Sequence, residues 1–153
     1  MDIYIIRHAH AIAGKDDAAR PLSVKGRRQL KAMAAFLLRS RALKAREIWH
    51  SPLVRARETA ERLADRMRSS AKLVEVAELT PETNPAVLAR RLKKVRHPVA
   101  VVGHEPHLSA LATLLLTGRA GAPVFDLEKG AVVALALRNR KVFLRWMISP
   151  REI

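Results

Sequence analysis

Cysteine is absent from this 153-residue chain, which excludes disulfides, thiolate nucleophiles and cysteine-type zinc sites and fits a reducing compartment. Aromatic residues are scarce, at 4%, so any core must be aliphatic. The few aromatics fall mostly at core-like positions and form no stacking platform for bases, which argues against a specific nucleic-acid partner. Long apolar runs are missing as well. The stretch from Leu108 to Leu116 is broken by Ser109 and Thr113 and falls far short of the ~20 residues of a membrane span. The N-terminal apolar run, Ile3 to Ile6, ends in Arg7-His8 and does not resemble a secretory leader. A soluble cytoplasmic protein with no membrane partner is the expectation. Acidic residues are few, 14 against 29 Lys and Arg, for a net charge of +15. That excess attracts anionic partners, although cations spread along helices read first as a solvated basic surface.

What is present suits one ordinary domain over 1–153, with 49% apolar residues to fill its core. Ile3, Tyr4, Ile5 and Ile6 are β-branched or aromatic, as in a strand buried on both faces. A polar loop, 12–20, precedes Ser23, the predicted N-cap of a helix reaching about Ser40 with Leu30, Met33, Ala34, Leu37 and Leu38 on one face. Gly26, in its first turn, suggests close approach of another group. Glu47 to His50 reads as a second strand. Ser51 is the expected cap of the next helix and Pro52 its first turn, with Leu53, Ala56, Ala60, Leu63, Ala64 and Met67 as the buried stripe. A third strand is predicted from Lys72 to Val76 and a third helix from Asn84-Pro85. A fourth strand, Val99 to Val102, leads to a helix from Pro106 to Gly118. Ala131 to Leu137 and Val142 to Ile148 read as an antiparallel hairpin at the sheet edge. Strands alternating with helices imply an α/β fold: a three-layer α/β/α sandwich with a mostly parallel central sheet.

Ligands in such folds bind beyond the carboxyl ends of the strands. Arg7-His8 follows strand one, Arg55 begins the helix after strand two, Glu78 follows strand three and His104 follows strand four, so all reach one rim. Two arginines can grip a phosphoryl group bidentately, and fixed cations stabilise the charge spread over its equatorial oxygens. His8, beside Arg7 at the strand end, is the candidate nucleophile. One ring nitrogen can donate to a backbone carbonyl and leave the other free, and the cations hold its pKa down. His104 is a second donor to the phosphoryl group.

The segments RHA at 7–9, PLSVKG at 21–26, SPLVRARETA at 51–60 and GHEP at 103–106, in this order, resemble the histidine phosphatase superfamily. That family has the phosphoglycerate-mutase-like fold, and the likeness is nearest its short SixA-like branch of protein phosphohistidine phosphatases. The resemblance implies that Arg7, Arg55 and His104 bind phosphate and that His8 forms a phosphohistidine intermediate, with no metal and no cofactor. It implies a phosphorylated protein as partner, with a small phosphomonoester as the alternative substrate. Ser23 and Gly26 are candidate substrate-binding residues, and Glu78 is the candidate general acid, with Glu82 and Glu105 as competitors. The chain departs from the family in having Ala9 where glycine is common, His10 after it, and His50 before Ser51-Pro52. It has no insertion large enough for a lid domain.

Plainer readings compete. Ser51 reads as a helix cap, and His10, His50 and His107 as ordinary loop or surface histidines. A metal-dependent hydrolase using His8, His10, His104 and His107 is the rival enzyme class, disfavoured because two arginines repel a dication. A non-catalytic phosphate-binding module is the third.

Overall fold

The computed structural model describes residues 1–153. Six strands, β1 (Asp2–Arg7), β2 (Glu47–His50), β3 (Lys72–Glu75), β4 (Val99–Gly103), β5 (Val132–Arg138) and β6 (Lys141–Ile148), alternate with four helices, α1 (Val24–Ser40), α2 (Val54–Arg66), α3 (Pro85–Lys94) and α4 (His107–Thr117). The sheet order is β3-β2-β4-β1-β5-β6. The first four are parallel neighbours, whereas β5 runs antiparallel to β1 and pairs with β6 in a hairpin. The expected α/β architecture and its antiparallel edge are therefore present. Asn139 and Arg140 both adopt positive φ, at 50° and 65°, the backbone a tight hairpin turn demands.

Strand alternation divides the apolar residues into two layers. Ile3, Ile5, Val99, Val101, Val133 and Leu135 face α3 and α4 through Leu88, Leu92, Leu108 and Leu111. Tyr4, Ile6, Ala100, Val102, Val132 and Ala134 face α1 and α2 through Leu30, Met33, Leu37, Ala60 and Leu63. Because β1 and β4 are covered on both sides, their sequence is continuously apolar. No helix is long and apolar enough to cross a membrane.

Two helix starts differ from expectation. Ser51 does not cap α2: the N-cap is Leu53, which has no side-chain hydrogen bond, and Pro52 lies outside the helix. The hydroxyl of Ser51 is engaged elsewhere, as described below. Helix α4 begins at His107, with Pro106 as its N-cap. The other two caps follow the sequence: Ser23 accepts from Gly26 N–H and Asn84 from Ala86 N–H. Short 3-10 turns at Asp17–Ala19, Ala77–Leu79 and Pro150–Glu152 complete the chain.

Candidate active site

The carboxyl end of β1 is fixed by its neighbours. His8 N–H donates to Gly103 O at 3.0 Å, Arg7 N–H to Ala131 O at 3.1 Å, and Gly130 N–H to Arg7 O at 3.1 Å. Gly103 of β4 and the Gly130–Ala131 segment just before β5 thus hold the backbone on which Arg7 and His8 stand. His8 is buried, with 5% of its surface exposed. Its Nδ1 lies 2.7 Å from Ala9 O; a carbonyl can only accept, so Nδ1 carries the proton and Nε2 keeps its lone pair. Burial pushes the His8 pKa down to about 4, with Arg55, Arg7 and Lys129 adding to it against the Ala9 hydrogen bond. The ring is therefore neutral at neutral pH, and desolvation acts more strongly than the cations that sequence reasoning put first.

His104, at the end of β4, packs its ring 5.1 Å from that of His8 at an angle of 51°. Burial, then the proximity of His8 and Arg55, lowers its pKa to about 3. Its Nε2 is 2.8 Å from the Ser51 hydroxyl, which also accepts Leu53 N–H at 3.2 Å. Ser51 is fully buried, so the residue read as a helix cap instead joins the β2 end to His104.

Arg55, in the first turn of α2, is also buried. Its guanidinium donates to Asp17 O at 2.8 Å and meets the Asp17 carboxylate at 3.2 Å. Arg7 donates to Leu127 O at 2.9 Å. Arg7 Nε, Arg55 Nε and His104 Nδ1 are buried without any protein partner. Buried N–H groups are rarely left so, and these three belong to groups expected to bind an anion; His107 and the Thr113 hydroxyl, in α4, are unpartnered as well. The charges of Arg55 and Arg7 act on the His8 ring, and that of Arg55 on the His104 ring. The structure thus brings together Arg7, His8, Arg55 and His104.

The remaining candidates lie differently. Ser23 and Gly26 contact the chain after His8: the Ser23 hydroxyl bonds His10 Nδ1 at 2.7 Å and His10 O at 3.2 Å, and Gly26 packs on the His10 backbone. Close approach at Gly26 is thus real, and the approaching group is the His10 carbonyl. Glu78 lies in the 77–79 turn, where Arg91 holds its carboxylate at 3.1 Å. Arg91 in turn lies 4.6 Å over the Trp49 ring, and Glu78 bonds none of the four clustered residues. Glu105 instead binds Ser109, in α4. His107, read as a loop or surface residue, is 98% buried with both ring nitrogens unpartnered. His10 is turned to Ser23, and no three His, Asp or Glu side chains are placed to hold a metal ion.

Sequence reasoning missed Asp17, Lys129 and the Ser51 contact. Asp17 sits in a polar loop with Asp16 and Lys15 beside it, where no periodicity singles out one residue. Thr59 had a usable signal, its four-residue spacing from Arg55: its hydroxyl accepts Ala9 N–H at 3.1 Å and donates to Arg55 O at 2.7 Å.

Residues 3–82 match the model of the histidine phosphatase superfamily, branch 1. Phosphohistidine phosphatase SixA of Escherichia coli is 26% identical over 155 residues, covering 98% of this chain and 94% of that protein. An uncharacterized protein of Picosynechococcus sp. is 30% identical over 175 residues, covering 99% and 98%. Among solved structures, the protein histidine phosphatase SixA complexed with tungstate superposes with a TM-score of 0.87 at 24% identity, covering 99% of both chains. A putative alpha-ribazole-5'-P phosphatase from Escherichia coli gives 0.82 at 20% identity and 98% coverage of each. The match spans β1 to the turn after β3 and takes in Arg7, His8 and Arg55, so the chain belongs to the histidine phosphatase superfamily, branch 1, with a SixA-like fold, and is a phosphatase.

Proposed function

We propose that this phosphatase removes the phosphoryl group from phosphohistidine in a protein, through a covalent phosphohistidine on its own His8. The observation that carries the reading is the His8 ring: Nδ1 is committed to Ala9 O at 2.7 Å, which leaves Nε2 as a neutral nucleophile. Nε2 attacks phosphorus while the P–N bond of the substrate breaks, and water then attacks the His8 phosphoryl to release inorganic phosphate. Arg7 and Arg55 bind the equatorial oxygens, whose charge grows in the transition state. With the Ser51 hydroxyl donating to Nε2, neutral His104 carries its proton on Nδ1, the atom without a protein partner, and donates it to the same oxygens. No metal takes part.

Three features support this over a small-molecule phosphomonoesterase. The likeness to SixA extends over nearly the whole chain. We read 1–153 as one catalytic domain without a lid, which suits a phosphoryl group presented on another protein. The labile P–N bond also lessens the need for a strong acid, in keeping with the commitment of Glu78 to Arg91. The relative solved with tungstate binds a tetrahedral oxyanion, the kind of group this cradle is read to hold.

The test is to mix the protein with a labelled phosphohistidine protein and with a panel of phosphomonoesters, quench, and locate the label. Acid-labile label on His8, most rapid from the phosphohistidine protein, is expected. Acid-stable label, or label elsewhere, overturns the mechanism. Faster turnover of a monoester overturns the substrate.

A further inference from the structure

Beside the cradle runs an open groove of about 450 Å³ whose lining is charged or polar apart from Pro150, and Arg7 is shared between the two. Lys25 of α1 and Lys129 of the loop before β5 line it, with His10 and Gln29 between. Arg151 and Glu128 also line it but pair with each other at 2.9 Å. Nearer the cradle, Asp17 engages Arg55 and Arg20, each at 3.2 Å. No carboxylate lies within ion-pairing distance of Arg7, Lys25 or Lys129. The groove therefore holds three uncompensated cations leading away from the reacting group. Partial burial, then the charges of Arg7, Arg20, Lys25 and Arg55, push the Lys129 ammonium below the ordinary lysine range. Like charges brought together at this cost to one another are what an incoming anion relieves.

Resting on the reading above, we infer that the Lys25–Lys129 groove receives acidic residues flanking the phosphohistidine of the substrate protein. The catalytic chemistry uses neither lysine. A subsite for a small anion presents convergent donors in an enclosed cavity. Here the cations stand on separate elements along an open, largely polar trough, and Gln29 is already committed, since it accepts His10 N–H at 2.9 Å. An extended acidic segment can meet the lysines in turn while its phosphoryl group lies against Arg7. The groove thus selects among phosphorylated partners by their charge.

Two phosphohistidine peptides of equal length, one with glutamates and one with glutamines on either side of the phosphorylated residue, test this, together with a small bisphosphate and its monophosphate. For the parent protein at low salt, kcat/KM is expected to favour the glutamate peptide by about five- to tenfold, the scale of two or three exposed ion pairs. The ratio shrinks in 0.5 M salt, where the Debye length is only about 4 Å. In Lys25→Ala/Lys129→Ala, folded by circular dichroism, the ratio falls to about one. Equal hydrolysis of both peptides by the parent overturns the inference and leaves the phosphohistidine reading standing. So does a preference that survives in the double variant, or one seen only for the bisphosphate. Hydrolysis of neither peptide, with monoesters still turned over, overturns both.

Discussion

Gly26→Ala sets two effects of opposite sign against each other. In the first turn of α1 alanine is the better helix former by about 1 kcal/mol. The new methyl, however, meets His10 O at 2.0 Å and the carbonyl carbon at 3.0 Å, far inside contact distance, and both atoms are backbone. Either α1 or the 9–11 segment must shift by about 1 Å, a strain of about 1–3 kcal/mol. The shift also loosens bonds to that carbonyl from Ser23 N–H at 3.0 Å and the Ser23 hydroxyl at 3.2 Å, each contributing about 1 kcal/mol. The net expectation is a loss of about 2 kcal/mol, or roughly 4–8 °C in Tm for a chain of this size. Because His10 is two residues beyond His8, a displacement of this size lowers kcat/KM by as much as about 10²-fold. Urea unfolding and steady-state assays on the same preparation measure both. A variant as stable as the parent or more so, with unaltered kcat/KM, would show that the helix contact is softer than described and refute the reasoning.

Ser51→Ala leaves His104 Nε2 buried without its partner, a loss of about 1–3 kcal/mol. Its kcat should fall about tenfold or more with little change in KM, and Ser51→Thr, which keeps the hydroxyl, should recover most of it. Full activity in the alanine variant would remove Ser51 from the site. The histidines give a pH prediction. Unfolded His8 and His104 take up protons near pH 6.5, whereas in the native state His8 does so only at about 4 and His104 at about 3. Between these values the unfolded state binds more protons, so stability falls as pH drops below 6.5, by up to about 1.4 kcal/mol per pH unit for each ring. Urea midpoints should fall from pH 7 to 5 while the His8 ring C–H resonance stays fixed; a His8 titration centred near 6.5 would contradict the buried, neutral ring.

The sheet and the convergence of four candidate site groups were legible because they depend on local pattern. The apolar runs at Ile3–Ile6 and Val99–Val102 mark central strands, and Arg7, His8, Arg55 and His104 follow strand ends by topology alone. Contacts that depend on three-dimensional closure were not legible. Ser51 looks like a cap because Ser-Pro often begins a helix. Its hydroxyl instead meets a ring 53 residues away, and the helix starts later. Asp17 and Lys129 belong to irregular segments whose side-chain directions no period dictates. His107 read as a loop or surface histidine because a polar ring at a helix start is usually solvated, whereas in the first turn of α4 it is buried.

The position of β1 also bears on how the protein is made. The strand that ends in Arg7, just ahead of His8, precedes its hydrogen-bonding neighbours β4 and β5 by most of the domain, since these begin at Val99 and Val132. On the ribosome, β1 must wait for most of the chain before either edge is paired, a delay typical of distant strand pairing. Until β5 emerges, Gly130 and Ala131 cannot clamp the Arg7 backbone. A chain not yet long enough to form the β5–β6 hairpin therefore holds Arg7 and His8 without the backbone contacts that set them.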